Sequence, residues 1–364
     1  MLQTRTRKIL MALLAATVLI AALLLARNFS NGADGTERQQ LLQLIPTGSS
    51  AVIYVDLDEF RESSFLAKLY EWAPHPAEDS EYAQFVRETG FSYERDLHRV
   101  AVAISKRGVD TNFVAVADGK FDRKKIEAVL FHDGAPSQHG KWRIFRLDAT
   151  ANDKPLSVAF LSDSRIALSN SEDLAGGAAA ASGEPGHAEW NARFERLAGT
   201  PLFAVIHQDP ALQSALGNAA PGGYRSPQLS ALLNQLQWIS IAGKPDGDLL
   251  RVVADGETVS ESAMSQLSQT LQGILLLAQN GLNGPNTRQQ MNPVEREAYV
   301  EMLRSAEVQK IDRGEWKTVR VVVAVTPKFL EVAKMKSAAP PATEKASGGN
   351  GPGQTTASKA KKKK

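Results

Sequence analysis

The chain has 364 residues, 43% hydrophobic and 23% charged, with a formal net charge of +2 and no cysteine. This is the composition of a globular protein with room for one large or two medium domains. The lack of cysteine excludes disulfides, thiolate metal sites and thiol nucleophiles, so a folded body must rely on its own core.

Residues 1–8 hold Arg5, Arg7 and Lys8, directly ahead of an uncharged run from Ile9 to Ala26 in which ten residues are Leu, Ile or Val. As a helix the run would be about 27 Å long, close to the ~30 Å hydrocarbon core of a bilayer. A transmembrane helix is therefore predicted over 9–26. A cleaved signal peptide would have a shorter apolar region and a small-x-small site, and residues 27–33 offer only a weak one ending at Ala33. The positive-inside bias puts residues 1–8 in the cytoplasm and 27–364 on the far side, a single-pass signal-anchor topology.

A linker and lead-in helix are expected over 27–45, and two copies of one pattern follow. Residues 97–120 (LHRVAVAISKRGVDTNFVAVADGK) and 236–257 (LQWISIAGKPDGDLLRVVADGE) each read as two β-rich runs joined at a Gly-containing turn. Ala117-Asp118-Gly119 matches Ala254-Asp255-Gly256, and the second turn is shorter by two residues. Such alternation bounded by turn residues predicts a hairpin. Upstream, the strand Ala51–Asp58 has its counterpart in Leu202–Asp209. Asp58 and Asp209 are expected to cap the following helices, the second with Pro210 at its first position. Downstream, helices are predicted over Asp122–Phe131 and from Ser260 to about Asn280. Strands are predicted at Lys141–Asp148, Leu156–Leu161, Glu307–Asp312 and Lys317–Val325.

Each copy thus runs in the split-βαβ order. The predicted fold class is α+β: an N-terminal transmembrane helix, then two tandem, duplicated units of antiparallel sheet with helices packed on one face. The units occupy 46–175 and 188–335, with a linker at 176–187, and their sheets can also join edge to edge. The apolar stretch Ile274–Ala278 is too short to span a bilayer and is expected to be buried between the copies.

From Lys336 to Lys364 the chain is rich in Ala, Pro, Gly, Ser and Lys, with seven Lys and one Glu. That leaves residues 1–335 at −4, and the tail is expected to be disordered. Its cations Lys359, Lys361, Lys362, Lys363 and Lys364 are candidates for contact with an anionic membrane or wall surface. Nucleic-acid binding is not expected, since no aromatic residue accompanies them.

No metal, cofactor or catalytic motif is recognisable. The six His show no H-E-x-x-H pattern, and neither G-x-x-x-x-G-K-[ST] nor G-x-S-x-G occurs. S-x-x-K occurs only at Ser358 and Lys361, in the tail. Asp56 with Asp58, and His207 with Asp209, alternate on their strands and form the best composite acid/base set. Asp118 and Asp255 are expected to shape turns. His132-Asp133 before Gly134 reads as helix termination, and Ala220–Tyr224 as a flexible connection. Pro46, Asp56, Leu57, Gly90, Phe91, Asp96, Leu97, Arg99 and Val100 lie in a pattern that resembles uncharacterised bacterial envelope proteins. The resemblance covers mainly residues 46–104. It implies an exported protein of the bacterial inner membrane with a periplasmic body, and it brings no functional residue with it. The expected function is non-enzymatic binding of an envelope partner or envelope organisation. The alternatives are an envelope hydrolase using Asp56, Asp58, His207 and Asp209, and a carrier of a small apolar ligand.

Overall fold

The computed structural model describes residues 35–46, 48–63, 65, 80–107, 110–131, 135–147, 155–170, 187–208 and 234–337. In chain order the first half holds α1 (Gly35–Leu42), β1 (Ala51–Asp56), α2 (Leu57–Glu62), α3 (Ser80–Thr89), α4 (Tyr93–Asp96), β2 (Leu97–Arg107), β3 (Asp110–Gly119), α5 (Arg123–Phe131), β4 (Ser137–His139), β5 (Trp142–Leu147), β6 (Leu156–Ser162) and β7 (Arg165–Ser169). The second half holds α6 (His187–Arg196), β8 (Leu202–His207), β9 (Trp238–Asp246), β10 (Leu249–Thr258), α7 (Glu261–Asn283), α8 (Pro285–Gln290), α9 (Pro293–Arg304), β11 (Glu307–Arg313), β12 (Trp316–Val325) and α10 (Pro327–Ser337). The boundaries follow local chemistry. Ser260 accepts from the Ala263 amide to start α7, and Asn292 with Pro293 starts α9. Gly314, at φ 73°, turns the chain between β11 and β12.

All twelve strands form one antiparallel sheet in the order β11-β12-β10-β9-β8-β1-β2-β3-β7-β6-β5-β4. The expected two tandem sheeted units are therefore corrected to one twelve-stranded sheet, because β1 and β8 pair directly, edge to edge. In this ladder Ile53 faces Ala204, its own counterpart in the repeat, and Val52 faces Val205 while Tyr54 faces Phe203. The two copies thus meet about a local quasi-twofold axis, as two subunits do across an isologous interface. The shorter second turn is absorbed by a two-residue change of register. Val100 pairs with Ala117, whereas Ala254 pairs with Ile241 rather than Ile239. A two-residue step keeps every side chain on its own face, which a one-residue step would not.

Helices cover both faces, so the expectation of a single helical layer is also corrected. On one face Phe85 of α3, Ile126 and Leu130 of α5 and Leu330 of α10 pack on Val55, Val100, Val102, Leu202 and Leu250. Met264 and Leu267 of α7 continue this layer over Val319. On the other face Leu41 and Leu42 of α1 and Trp190 and Phe194 of α6 cover Val52, Tyr54, Ala101, Phe203, Val205 and Trp238. The reason lies in β8, where Leu202, Phe203, Ala204 and Val205 are buried in succession. A strand apolar at consecutive positions needs cover on both sides.

The expectation of a membrane-spanning helix is corrected only for the described residues. Among the described residues no helix is long and apolar enough to cross a membrane, and residues 9–26 lie outside them. The linker at 176–186, His132–Gly134, Asp209, Ala220–Tyr224 and the lysines from 359 onward also lie outside the described residues. α10 runs through Lys336 to Ser337, past the expected start of the tail.

The glycines of the repeated Ala-Asp-Gly motif sit in close packing, not in turns. A Cβ on Gly119 would lie 2.6 Å from the Asp96 carbonyl oxygen, whereas one on Gly256 would meet only the Leu236 side chain, at 3.1 Å. Gly119→Ala is expected to cost about 3 kcal/mol, and Gly256→Ala about 1 kcal/mol because Leu236 can yield. Urea unfolding of the two variants measures the difference.

Candidate functional site

The acid/base set suggested by the sequence does not converge. β1 ends at Asp56, and the Asp56 carboxylate accepts from the Asp58 and Glu59 amides, both at 3.2 Å. Asp56, not Asp58, therefore caps α2. Asp58 turns away to accept from Arg61 at 2.7 Å and to meet the His98 ring Nδ1 at 2.7 Å. The amide of His207 donates to Ser50 at the opposite end of the β1–β8 ladder, and its ring stacks on Trp238. Asp56, at the other end, donates its amide to Pro201. No described group of three or more His, Asp or Glu is placed to hold a metal ion.

Asp56 instead anchors a polar chain across the junction of the two copies. Arg99 Nε donates to it at 2.9 Å and the Tyr54 hydroxyl at 3.3 Å, and Arg99 also pairs with Glu37 of α1. Burial pushes the Tyr54 phenol well above its ordinary range, and Asp56 adds to the shift. Burial opposes the Arg99 charge, but Asp56 outweighs it and the net shift is upward. Arg38 of α1 donates to the Phe194 and Leu197 carbonyls at the end of α6, at 3.0 and 3.1 Å, and lies over the rings of Tyr54 and Phe203. A cation at a helix C-terminus is favourable there. This cluster holds α1 and α6 to the sheet.

The repeated aspartates are not turn residues. They lie in β3 and β10, and each takes a forked arginine from the neighbouring strand. Asp118 accepts from Arg165 at 2.5 and 2.9 Å, and Asp255 from Arg320 at 2.7 and 2.8 Å. Asp118 faces Arg165, and Asp255 faces Arg320, in the ladders. Planar two-point pairing of this kind is the strong form of ion pair.

In the second unit the pair is part of a larger assembly. Arg313 of β11 donates to Asp255 at 3.1 Å. Glu257, two residues along the same face of β10, accepts from Arg193 of α6 at 2.7 Å and from Arg196. Glu257 is fully buried and Arg193 nearly so. The Arg193 guanidinium lies 3.8 Å from the Trp238 ring centroid and 4.9 Å from that of Trp316, a cation–π arrangement. Burial lowers the pKa of Arg193 and of Arg196, against the pull of Glu257, and Arg313 lowers Arg196 further. Burial would raise Asp255, but Arg320 and Arg313 hold it below its ordinary value.

The expected burial of Ile274–Ala278 is corrected. The stretch lies in the outer half of α7, where Ile274, Leu276 and Leu277 are 44%, 59% and 72% exposed. Met264 and Leu267, in the first half, meet the sheet. The C-terminal half is held by Gln279, whose side chain donates to the Leu303 carbonyl at the end of α9 at 2.8 Å.

No family model and no curated protein matches the chain. Among solved structures, crystal form I of TP0453 matches at a TM-score of 0.40 and 8% identity, over 82% of this chain and 97% of that one. Crystal form III matches at 0.41 and 10%, over 84% and 99%. Crystal form IV matches at 0.41 and 9%, over 82% and 99%.

Because its folded-state pKa is depressed, ionised Asp255 stabilises the fold above the unfolded value of about 3.9. That contribution is lost as the pH falls through the folded value. Asp255→Asn is expected to lower stability at pH 7 by about 3 kcal/mol. The gap between variant and wild type is expected to narrow at pH 3, and urea unfolding at both pH values measures it.

Proposed function

We propose that this protein is a non-enzymatic binding protein and that the outer half of α7 is its contact surface. The carrying observation is the exposure of Ile274, Leu276 and Leu277 on a helix anchored at both ends. Apolar area in water costs about 25 cal/mol per Å², and a partner that covers these side chains recovers it. From Ser262 to Thr287 the chain has no charged residue. A solvated helix surface ordinarily carries charges of both signs. The partner is therefore a protein with an apolar groove or helix face, recognised by shape and burial rather than by charge. The polar clusters beneath the sheet support a non-enzymatic reading, because their carboxylates are engaged with arginines.

A photo-crosslinking residue placed at position 277 in the full chain tests the surface, with position 266 on the same helix as control. Crosslinking in cells to one discrete protein species from 277 but not 266 is expected, and it should persist at high salt. Leu276→Asp with Leu277→Asp should abolish it while changing stability by about 0.5 kcal/mol or less. No product from 277, or equal products from both positions, overturns the proposal.

A further inference from the structure

We propose that the arginine assembly around Asp255 and Glu257 is a binding site for a phosphate-class oxyanion. Four guanidinium groups, Arg193, Arg196, Arg313 and Arg320, converge on two carboxylates. Against these two carboxylates two positive charges are in excess, with the exposed Glu189 of α6 acting on Arg193 from outside the contact set. Both carboxylates are already engaged, Asp255 by Arg320 and Arg313 and Glu257 by Arg193 and Arg196, so the excess is not met from within the cluster.

Four buried polar atoms in the cluster have no hydrogen-bond partner among the described residues: Arg193 Nε, Arg313 Nη1, Ser240 Oγ and Thr318 Oγ1. Arg313 Nη1 reaches Glu257 Oε1 only at 3.8 Å, an ion pair too long for a hydrogen bond. Ser240 faces Asp255 across the β9–β10 ladder and Thr318 faces Glu257 across the β10–β12 ladder, so both hydroxyls border the carboxylates. Leaving buried donors unpaired is unfavourable, and native folds do it rarely.

The repeat separates what the sheet needs from what this site adds. The first copy keeps the ladder pair, as Asp118 with Arg165. Where the second has Glu257 after the Ala-Asp-Gly motif, the first has Lys120. A forked Asp–Arg pair thus suffices to lock the neighbouring strands, and Arg193, Arg196 and Arg313 go beyond it.

The exposed rim is formed by Arg196, Arg313 and Arg320, whose side chains are 30%, 19% and 32% exposed. Planar guanidinium forks suit the several acceptor oxygens of a phosphate group. A doubly charged phosphate monoester matches the surplus of two, which a monocarboxylate does not. Free phosphate, a soluble phosphate ester and a lipid headgroup share this chemistry.

The test titrates the full chain with inorganic phosphate, against chloride at matched ionic strength, and reads tryptophan emission, since Trp238 and Trp316 adjoin Arg193. A second arm uses phosphatidylcholine vesicles with and without phosphatidic acid. A saturable response in either arm is expected, weakened about tenfold by Arg313→Gln, which removes charge-assisted donors. Arg165→Gln, which breaks the equivalent pair of the first copy, should leave it unchanged. Response to phosphate identifies a soluble ligand, and response to phosphatidic acid alone identifies a headgroup. If Arg313→Gln does not fold, Arg196→Gln on the rim is expected to give the same weakening. No saturable response in either arm, or one that the arginine substitutions leave unaltered, overturns the proposal.

Discussion

The antiparallel pairing of β1 with β8 is the constraint on which the rest of this structure depends. It joins two copies of one supersecondary unit through the strands that would otherwise be their bare edges. With that junction at the centre, the middle strands are covered from both sides, and two helical layers become necessary. α1 and α6 supply the second layer. Their attachment is specific: Arg38 ties α1 to the last carbonyls of α6, and Glu37, Arg99 and Asp56 tie α1 to β1 and β2. The polar chain and the apolar layer fix the same geometry.

From this common frame the copies diverge. The first uses its carboxylates in a helix cap and in smaller clusters, such as Glu127 with Arg123 and Arg143 and Asp58 with Arg61 and His98. The second carries a long helix, α7, on one face of β9, β10 and β12, and gathers arginines on the opposite face of those strands. The helix that carries the proposed contact surface and the arginine cluster therefore belong to opposite faces of the same strands.

What the sequence reveals, and what it hides, follows from the range of the interactions. The repeat is legible because Ala117-Asp118-Gly119 and Ala254-Asp255-Gly256 are local and nearly identical. The strand after each predicted helix is legible from alternation and lies within a residue or two of its expected ends. The two-sided burial of β8 is written in its consecutive apolar residues Leu202–Val205, which a single helical layer does not accommodate. Ile274–Ala278 is misleading because apolar content normally signals burial, and nothing local shows that Ile274, Leu276 and Leu277 are left exposed. The arginine assembly was hidden because α6, β10, β11 and β12 each contribute one or two residues from distant stretches. A carboxylate two residues from another on one strand face does not announce the arginines that will reach it.

The quasi-twofold junction has a consequence for how the chain is made. β1 is complete long before residues 57–201 and β8 have followed. At about 5–20 residues per second, its free edge is unpaired for on the order of ten seconds on the ribosome. During that interval β1 offers Ala51–Val55, an uncharged stretch, to any complementary strand. Since every copy of the chain carries the same β8, one from a neighbouring nascent chain fits that edge as well as the chain's own. Strand exchange between chains on one message is thus the competing outcome that this topology leaves open.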